Sequence, residues 1–501
     1  MESNGPIETV FSEFDAKCDE IKSYIMGESQ KQTIYHVEKG MLSLIMSFGL
    51  ICLQAFLQVK GDGAVGPTHT DQDGIIRPRH SNNHDRGYFS IFGKLVINRA
   101  YYWAKDLGGV CPLDACLNLP KKSYSYLLES WALKLGVHGS YQKVIDIFYS
   151  MLGITLCKDP VERMMADASQ SAPEFYEGLA VPESGSEGEI LVETVDGKGV
   201  PLTATETKKQ GHRLKKGEKK TKKKVSTVSA VYTIDRHIRT VDDVVKEVLE
   251  ADRAVKSGST PEGVESRPDR PKPKNKVVKA TLEGKQAAFE DLNRQAEARD
   301  PGHKKDRVAL VDGEPALRKL IKNMLTGFCI ILDLFHVLEY IWKAAYVFHK
   351  EGSPEAEAYV RRQLRQLLMG NVNQVIAELE TDLKTKKLSI KKKDKLKKVI
   401  GYLTRGKNYM QYDVYLAKGY PIGSGVVEGA CRNLVKDRME LTGMHWTVDG
   451  AEAVLQMRSV EVNGMWQEFW DSRMAAMQIK LYPYHVADYP AKELEIQAMA
   501  A

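Results

Sequence analysis

The sequence predicts a multidomain protein in which an α/β domain is interrupted by an all-α insertion and preceded by helical and small β-rich modules. Three observations support this fold class. The chain of 501 residues is too long for one ordinary hydrophobic core. Its composition, 43% hydrophobic and 28% charged, is typical of a globular protein. Short apolar runs and helical periodicity alternate between residues 189 and 332, as in an α/β sheet.

Three small modules are expected before the α/β domain. Residues 1–61 have helical periodicity, and residues 62–125 contain short β-type runs among scattered arginines. Residues 126–180 have the outline of a helix-turn-helix. Its predicted helices are Tyr141–Leu152 and Asp159–Ala168, and the first residue of the second helix is its predicted N-cap.

One apolar segment is as long as a membrane span. Residues 40–59 carry no charge. The side chains of Ser43, Ser47, Gln54 and Gln58 share one face of a helix here, which favours a buried or self-associating helix over a membrane span. The acidic, polar N-terminus and seven cysteines without a CxxC pair also indicate a cytoplasmic protein with reduced thiols, and no membrane contact is expected.

The central part alternates strands with helices. The predicted strands are residues 189–195, 225–234, 277–282, 307–311 and 328–332, with helices over 285–298 and 315–325. The order β-β-β-α-β-α-β is that of the ribonuclease-H-like fold, which still requires a final helix. That helix is predicted from Val426 onward. The domain is therefore expected to comprise residues 181–336 and 422–475, with the all-α insertion at 337–421 and a tail at 476–501.

Three acidic residues lie at the ends of neighbouring elements in this predicted fold. Asp196 follows the first strand, Asp312 follows the fourth, and Glu428 lies in the first turn of the last helix. Strands one and four are neighbours in such a sheet, so we expect one catalytic, metal-binding patch. Close carboxylates repel one another unless cations bind, and oxygen ligands select Mg²⁺ or Mn²⁺. Two such ions can support in-line phosphoryl transfer.

Each acid also has a simpler interpretation. Asp196 in an Asp-Gly pair is typical of a turn, and Asp312 could cap a helix. Glu428 could interact with the helix dipole or with the arginine four residues later. A fourth acid, Asp333, ends the fifth strand, and His336 follows it. Because that strand lies farther from the first, we expect these two residues to surround the metal ligands rather than to be ligands.

Basic residues are concentrated in runs, although the net charge is only +6. Lys208–Lys224 holds ten Lys and Arg residues in seventeen positions, and Lys384–Lys398 holds nine lysines in fifteen. Such runs neutralise phosphates, and a solvated surface is the alternative. The residues expected to contact DNA phosphates are Lys215, Lys216, Lys219, Lys220, Lys222, Lys223, Lys391, Lys392 and Lys393. The residues expected to reach base edges are Arg77, Arg79 and Arg99.

Several motifs resemble those of bacterial insertion-sequence transposases of the ISKra type, which are relatives of the Mutator-like DDE transposases. The similar motifs are Asp-Gly after strand one, Asp-Gly-Glu after strand four, LDLFHVLEY at 332–340 and GSGVVEGACR at 423–432. The resemblance covers at least residues 189–460. It implies that Asp196, Asp312 and Glu428 form the metal-binding triad. It also implies that Asp333, His336 and Arg432 lie around that triad.

The resemblance implies a prokaryotic, nucleoid-associated endonuclease and strand transferase. It would bind the terminal inverted repeats of an insertion sequence and cleave and join double-stranded DNA with two Mg²⁺ or Mn²⁺ ions, as a homodimer or larger oligomer. A structural zinc ion is not expected, because the cysteine pair found in family members after the Arg-x-Tyr-Tyr segment is missing after Arg99–Tyr102. The alternatives are a nuclease or resolvase without strand transfer and an inactive DNA-binding protein of transposon origin.

Overall fold

The chain in the computed structural model divides into two units by its internal contacts, residues 1–177 with 465–501 and residues 178–464. The structure describes residues 5–209, 222–257, 270–313, 323, 327–441 and 443–484. Apart from Asn323, the helix predicted over 315–325 lies outside the described residues.

Two long helices, Gly5–Met26 and Ile34–Lys60, begin the first unit, as predicted. They contact each other through Phe14 and Phe48, whose ring centroids are 4.8 Å apart. The second helix is long and apolar enough to cross a membrane, and 0% of its most apolar 18-residue window is buried. The burial expected for this segment is therefore wrong, and its self-association stays a prediction.

Six short strands follow in antiparallel pairs. They are β1 (Thr68–Thr70), β2 (Ile76–Pro78), β3 (His84–Ser90), β4 (Gly93–Arg99), β5 (Tyr102–Ala104) and β6 (Gly108–Val110). The pairs are β1–β2, β3–β4 and β5–β6, and all of them lie in the segment predicted to contain short strands. Leu95 and Ile97 share one face of β4, because alternate residues of a strand point the same way, and they pack with Leu113 and Leu119.

The helix pair predicted after this module is present. The helices are Tyr141–Leu152 and Lys158–Ser169. Gly153 ends the first of them in the left-handed conformation, with φ of 68°. The predicted cap at Asp159 is wrong, since the N-cap of the second helix is Cys157. Three shorter helices in this unit are Pro112–Cys116, Tyr126–Gly136 and Ala172–Glu177.

The C-terminal helix, Trp466–Leu481, belongs to the first unit. Its Trp466 Nε1 donates to Ser130 Oγ at 2.9 Å, and its Arg473 donates to Asp167 at 2.8 Å. The domain boundary predicted after residue 475 falls inside this helix. The sequence did not predict that this helix packs in the first unit, because the residues that bond to Trp466 and Arg473 are more than 300 positions away.

A five-stranded sheet forms the centre of the second unit. Its strands are β7 (Ile190–Pro201), β8 (Lys223–Ile234), β9 (Lys274–Thr281), β10 (Asp306–Val311) and β11 (Cys329–Leu332), at the five predicted places. The spatial order is β11-β10-β7-β8-β9. Strands β7, β8 and β9 are antiparallel neighbours, whereas β10 is parallel to both β7 and β11. Strand β7 continues past the predicted end at 195, so Asp196 lies within the strand.

The helices of the insertion share one hydrophobic core with this sheet, as do Val241–Ser257 and Lys285–Arg299. Those of the insertion are Leu334–Phe348, Pro354–Leu368, Val372–Thr385, Ile390–Gly406 and Tyr412–Ala417. The others are Ala204–Lys209, Val241–Ser257, Lys285–Arg299, Gly425–Ala430, Asp437–Met439 and Val448–Val462. The first insertion helix begins at Leu334, three residues before the predicted start, and the helix between β8 and β9 was not predicted.

A carboxyl group is buried in the middle of β7. Glu193 is 1% exposed, and within the described part of the chain neither of its side-chain oxygens has a hydrogen-bond partner. Burial raises the pKa of Glu193 to about 8, although the positive charge of Arg307 lowers it. Arg307 donates instead to Glu297 at 2.6 Å and to Asp300 at 3.1 Å. Folding therefore favours the neutral form of Glu193.

We predict that Glu193→Gln flattens the pH dependence of stability. The folded-state pKa of about 8 exceeds the ordinary value of 4.5. The stability that this group contributes is thus fully present below pH 4.5 and is lost as the pH rises through 8. The loss is on the order of 4 kcal/mol. Urea unfolding at acidic and alkaline pH measures it, with the exposed Glu283→Gln as control. A Glu193→Gln profile parallel to that of the wild type would contradict the prediction.

Candidate metal centre

Three aspartates lie in one row across neighbouring parallel strands. Leu310 in β10 pairs with Thr194 in β7 and with Ile331 in β11. Continuing this register by two residues aligns Asp196, Asp312 and Asp333. The backbone N–H of Asp333 still donates to Val311 O at 2.8 Å, so the ladder extends to this row. Adjacent strands are about 4.8 Å apart, which brings the three acidic residues side by side.

Asp333 is fully buried and held by hydrogen bonds. It caps the Leu334–Phe348 helix, and its Oδ1 accepts from the Phe335 N–H at 2.8 Å. Its Oδ2 accepts from the Ser424 hydroxyl and lies 3.2 Å from His336 Nδ1. An ionised carboxylate can be buried only with such partners. These contacts fix the position of Asp333 more firmly than that of an exposed acid.

Glu428 completes a group of possible metal ligands. Ligand atoms of Asp333, His336 and Glu428 all lie within 4.8 Å of one another, and among the described residues this is the group that meets that criterion. Glu428 lies in the first turn of the Gly425–Ala430 helix, as predicted. Ser424 immediately precedes this helix, so its hydrogen bond to Asp333 ties the helix start to the end of β11.

The acidic residues affect one another through their charges. The hydrogen bond to Asp333 and the charges of Asp333, Asp312 and Asp196 raise the pKa of His336 to about 9, although burial lowers it. Burial and the charges of Asp333 and Asp196 raise the pKa of Glu428. The carboxyl groups of Asp196, Asp312, Asp333 and Glu428 therefore form one patch, which we call the carboxylate patch. A cation bound there would relieve their repulsion.

Asp196 has its own fixed environment. Its Oδ1 accepts from the Gly197 N–H at 2.6 Å, and its Oδ2 accepts from the Cys431 thiol at 3.3 Å. Burial and the charge of Asp196 raise the pKa of the Cys431 thiol, which keeps it protonated as a donor. Cys431 begins a π-helical turn, Cys431–Lys436, and such turns are frequent at functional sites. We did not predict this contact, which joins residues 235 positions apart.

Asp312 is linked to the all-α insertion. Its carbonyl oxygen accepts from the Tyr402 hydroxyl at 3.0 Å. The Tyr402 ring stacks on Tyr340, with centroids 3.7 Å apart and 3° between the planes. Gly313 has a φ of 91°, and a Cβ there would lie 2.9 Å from Tyr402, so the close approach requires glycine. The Ile390–Gly406 helix is thereby attached to the strand end that carries Asp312.

The predicted triad and the closest ligand group differ in two members. Asp196, Asp312 and Glu428 all belong to the carboxylate patch, but the group within 4.8 Å contains Asp333 and His336 instead of Asp196 and Asp312. The physical reason is the register of β11, which brings Asp333 level with Asp312. The expectation that Asp333 and His336 only surround the ligands does not match this geometry.

Arg432 is not paired with Glu428. Its side chain is 76% exposed, and its Nε lies 3.9 Å from Asp437 Oδ1. The π-helical turn that contains Arg432 changes the spacing of an ordinary helix, so the i,i+4 contact with Glu428 is not formed. The expected place of Arg432 around the triad is therefore not supported by its contacts.

The lysines expected to contact DNA divide into two sets. The first set lies outside the described residues and comprises Lys215, Lys216, Lys219 and Lys220. The second set is exposed in the structure and comprises Lys222, Lys223, Lys391, Lys392 and Lys393. Lys223 pairs with Glu440 at 2.5 Å. The last three lie in the first turn of the Ile390–Gly406 helix.

The arginines of the first unit have mainly internal partners. Arg77 is 7% exposed, and its Nη1 donates to Asp71 at 2.6 Å. Arg99 Nη1 donates to Asp114 at 2.5 Å. Arg86 also donates to Asp114, at 3.0 Å. Arg77 and Arg99 thus have acidic partners inside the fold, and their contact with base edges stays a prediction. Arg79 is 38% exposed and keeps access to solvent.

No protein-family model and no curated protein matches this chain.

The donor set fits a divalent cation. Carboxylate oxygens suit Mg²⁺ and Mn²⁺, and a neutral imidazole suits transition-metal ions. While His336 is protonated it donates to Asp333 and cannot be a ligand, which leaves carboxylate oxygens as the donors. Deprotonation of His336 would add a nitrogen ligand and favour Mn²⁺ over Mg²⁺.

We predict that Glu428→Gln weakens Mn²⁺ binding by at least about tenfold, because it replaces a carboxylate ligand with a neutral amide. Isothermal titration calorimetry measures the affinity. Glu339→Gln is the matched control, since Glu339 lies one turn beyond His336 on the same helix and outside the ligand group. Equal losses of affinity in both variants would indicate a general charge effect and contradict the prediction.

Mn²⁺ binding below pH 9 should release about one proton. The raised pKa of about 9 means that His336 is protonated at neutral pH without metal, and a cation displaces that proton by ligation or repulsion. Affinity should then increase with pH up to about 9. Calorimetry in two buffers of different ionisation enthalpy measures the released proton, which should be absent in His336→Gln. Identical enthalpies in both buffers for the wild type would refute this linkage.

Proposed function

We propose that the chain is a DDE transposase of the insertion-sequence type, with a ribonuclease-H-like catalytic domain. The observation that carries the proposal is the carboxylate patch, in which Asp196, Asp312 and Asp333 lie in one register row and Glu428 lies beside them. The sheet order β11-β10-β7-β8-β9, with an antiparallel meander followed by parallel strands, supports the fold assignment. The motif resemblance in residues 189–460 supports the specific class.

The patch suits phosphoryl transfer on DNA. Two bound divalent ions would activate the attacking oxygen and stabilise the leaving oxygen of a phosphodiester. The carboxylates of the patch would supply the negative charge that holds these ions. Asp196 and Asp312, on two neighbouring strands, would add ligands to the group of Asp333, His336 and Glu428. Cys431 and the Gly197 N–H orient Asp196, and Ser424 orients Asp333. Oriented ligands fix the spacing of the ions, on which an in-line displacement depends.

Exposed lysines on the insertion support DNA binding near the patch. Lys391, Lys392 and Lys393 begin the helix that contacts Asp312 through Tyr402. Lys393 and Tyr402 are nine positions apart, which corresponds to about 14 Å along a helix. The distance from phosphates bound by these lysines to the carboxylates would thus be no more than roughly the width of a DNA duplex. Binding of this kind weakens with salt.

The proposed partner is double-stranded DNA carrying the terminal inverted repeats of the element, together with target DNA. Joining two ends requires at least a homodimer on DNA. We place the protein in the prokaryotic cytoplasm at the nucleoid. The first unit, with its helix pair and the exposed Arg79, is the proposed reader of the repeats.

Incubating the purified protein and Mn²⁺ with labelled duplex from the ends of the genomic segment that carries the gene tests the function. We predict cut and joined products, and a loss of both of roughly 100-fold or more in Asp196→Asn and Asp312→Asn. Glu283→Gln should behave as wild type. Cut-only products would indicate a nuclease, and DNA binding without cutting would indicate an inactive DNA-binding protein. Full activity of Asp196→Asn would overturn the catalytic assignment.

A further inference from the structure

A small basic pocket lies near the beginning of β7, away from the carboxylate patch along the strand. Ile234 at the end of β8 forms part of its wall and pairs with Ile190, whereas Asp196 pairs with Val228. Its charged and titratable lining residues are Asp235, His237, Arg239 and Arg270. None of these belongs to the lysine runs already considered.

Arg239 has an unused hydrogen-bond donor. Its side chain is 10% exposed. Its Nη2 donates to Tyr420 O at 3.1 Å, and its Nη1 lies 3.9 Å from Glu247. Its buried Nε has no hydrogen-bond partner among the described residues. A buried guanidinium N–H without an acceptor is costly, and an anion entering the pocket would supply acceptor oxygens.

Positive charge exceeds negative charge among the residues that line this pocket, where two arginines face one aspartate, while Glu247 and Asp243 lie near Arg239 outside the lining. Arg270 is 60% exposed, and its Nη1 donates to the same Glu247 at 3.2 Å, so one carboxylate serves two guanidinium groups. Asp235 is engaged by Lys274 at 2.8 Å. Burial and the charges of both arginines lower the pKa of His237. An anion is therefore the ligand that the pocket favours.

One short segment borders both the pocket and the carboxylate patch. At the pocket, the His237 N–H donates to Gly419 O at 3.0 Å, and Arg239 donates to Tyr420 O. At the patch, Ser424 donates to Asp333. Even fully extended, the chain from Tyr420 to Ser424 spans at most about 14 Å. A polymer with regularly spaced phosphates could occupy both places.

We propose that the pocket lined by His237, Arg239 and Arg270 binds a phosphate group of the nucleic-acid strand whose backbone passes the carboxylate patch. The planar guanidinium groups present several N–H donors, which match phosphate oxygens better than a lysine does. The assignment of this pocket rests on the proposed function. It adds a substrate contact made by two arginines that lie near the start of β7.

Two measurements on the full chain test the site. Inorganic phosphate is the first probe, and its ³¹P line width with and without protein reports binding. A short fluorescent duplex is the second, and its affinity is measured over a range of salt. Arg270→Gln is the main variant because Arg270 is exposed, and Arg239→Gln is the second. Lys272→Gln is the matched control, since it removes one nearby exposed charge that does not line the pocket.

We expect phosphate broadening in the wild type and in Lys272→Gln, and its loss in Arg270→Gln. In the same variant the slope of log affinity against log salt should fall by about 0.9, as for one lost phosphate contact. Unchanged broadening in Arg270→Gln, or equal slope changes in Arg270→Gln and Lys272→Gln, overturns the site.

The outcomes separate this site from the proposed function. If the wild type cleaves DNA but Arg270→Gln keeps the wild-type salt slope, only the pocket assignment fails. If the wild type binds phosphate in the pocket but binds no duplex, the proposed function fails and the nucleic-acid assignment fails with it.

Discussion

The register of three parallel strands is the constraint on which the candidate site depends. Backbone hydrogen bonds between β7, β10 and β11 align Asp196, Asp312 and Asp333 in one row. A slip of one residue would turn the corresponding side chains to the other face of the sheet and disperse the row. The surrounding contacts reinforce this register, because Tyr402 binds the Asp312 carbonyl and Ser424 binds the Asp333 side chain.

Strand β7 carries two acids in opposite environments. Asp196 lies at the carboxylate patch, where it accepts hydrogen bonds from Gly197 and Cys431. Glu193 is three residues earlier, so it points to the other face, where burial favours its neutral form. The same strand thus places one carboxyl group where a cation can neutralise it and another where no described partner does. Burial and the lack of a described partner favour the neutral form of Glu193.

Local patterns were sufficient to predict most elements of the second unit. The strands are runs of apolar residues, so the five predicted segments agree with the structure to within a few residues at most ends. The position of Glu428 in the first turn of a helix followed from the glycine-rich segment before it. The helix Val241–Ser257 was missed because its charged residues mask a narrow apolar face.

Contacts between distant residues could not be predicted in this way. The pairs Cys431–Asp196 and Ser424–Asp333 depend on how the last helix meets the sheet, which no local pattern describes. The ion pair between Arg77 and Asp71 is different, because the two residues are only six positions apart and their pairing depends on the local chain path between β1 and β2. Long-range packing therefore determined the surroundings of the carboxylate patch, whereas local structure determined the partner of Arg77.

Diffraction from crystals soaked in Mn²⁺, recorded at a wavelength where manganese scatters anomalously, is the most direct test of the carboxylate patch as a metal site. The predicted result is an anomalous peak within coordination distance of Asp333 and Glu428, with Asp196 or Asp312 beside it, that disappears in Glu428→Gln crystals. Ordered carboxylates with no anomalous peak at saturating Mn²⁺, or a peak that persists unchanged in Glu428→Gln, would contradict the assignment.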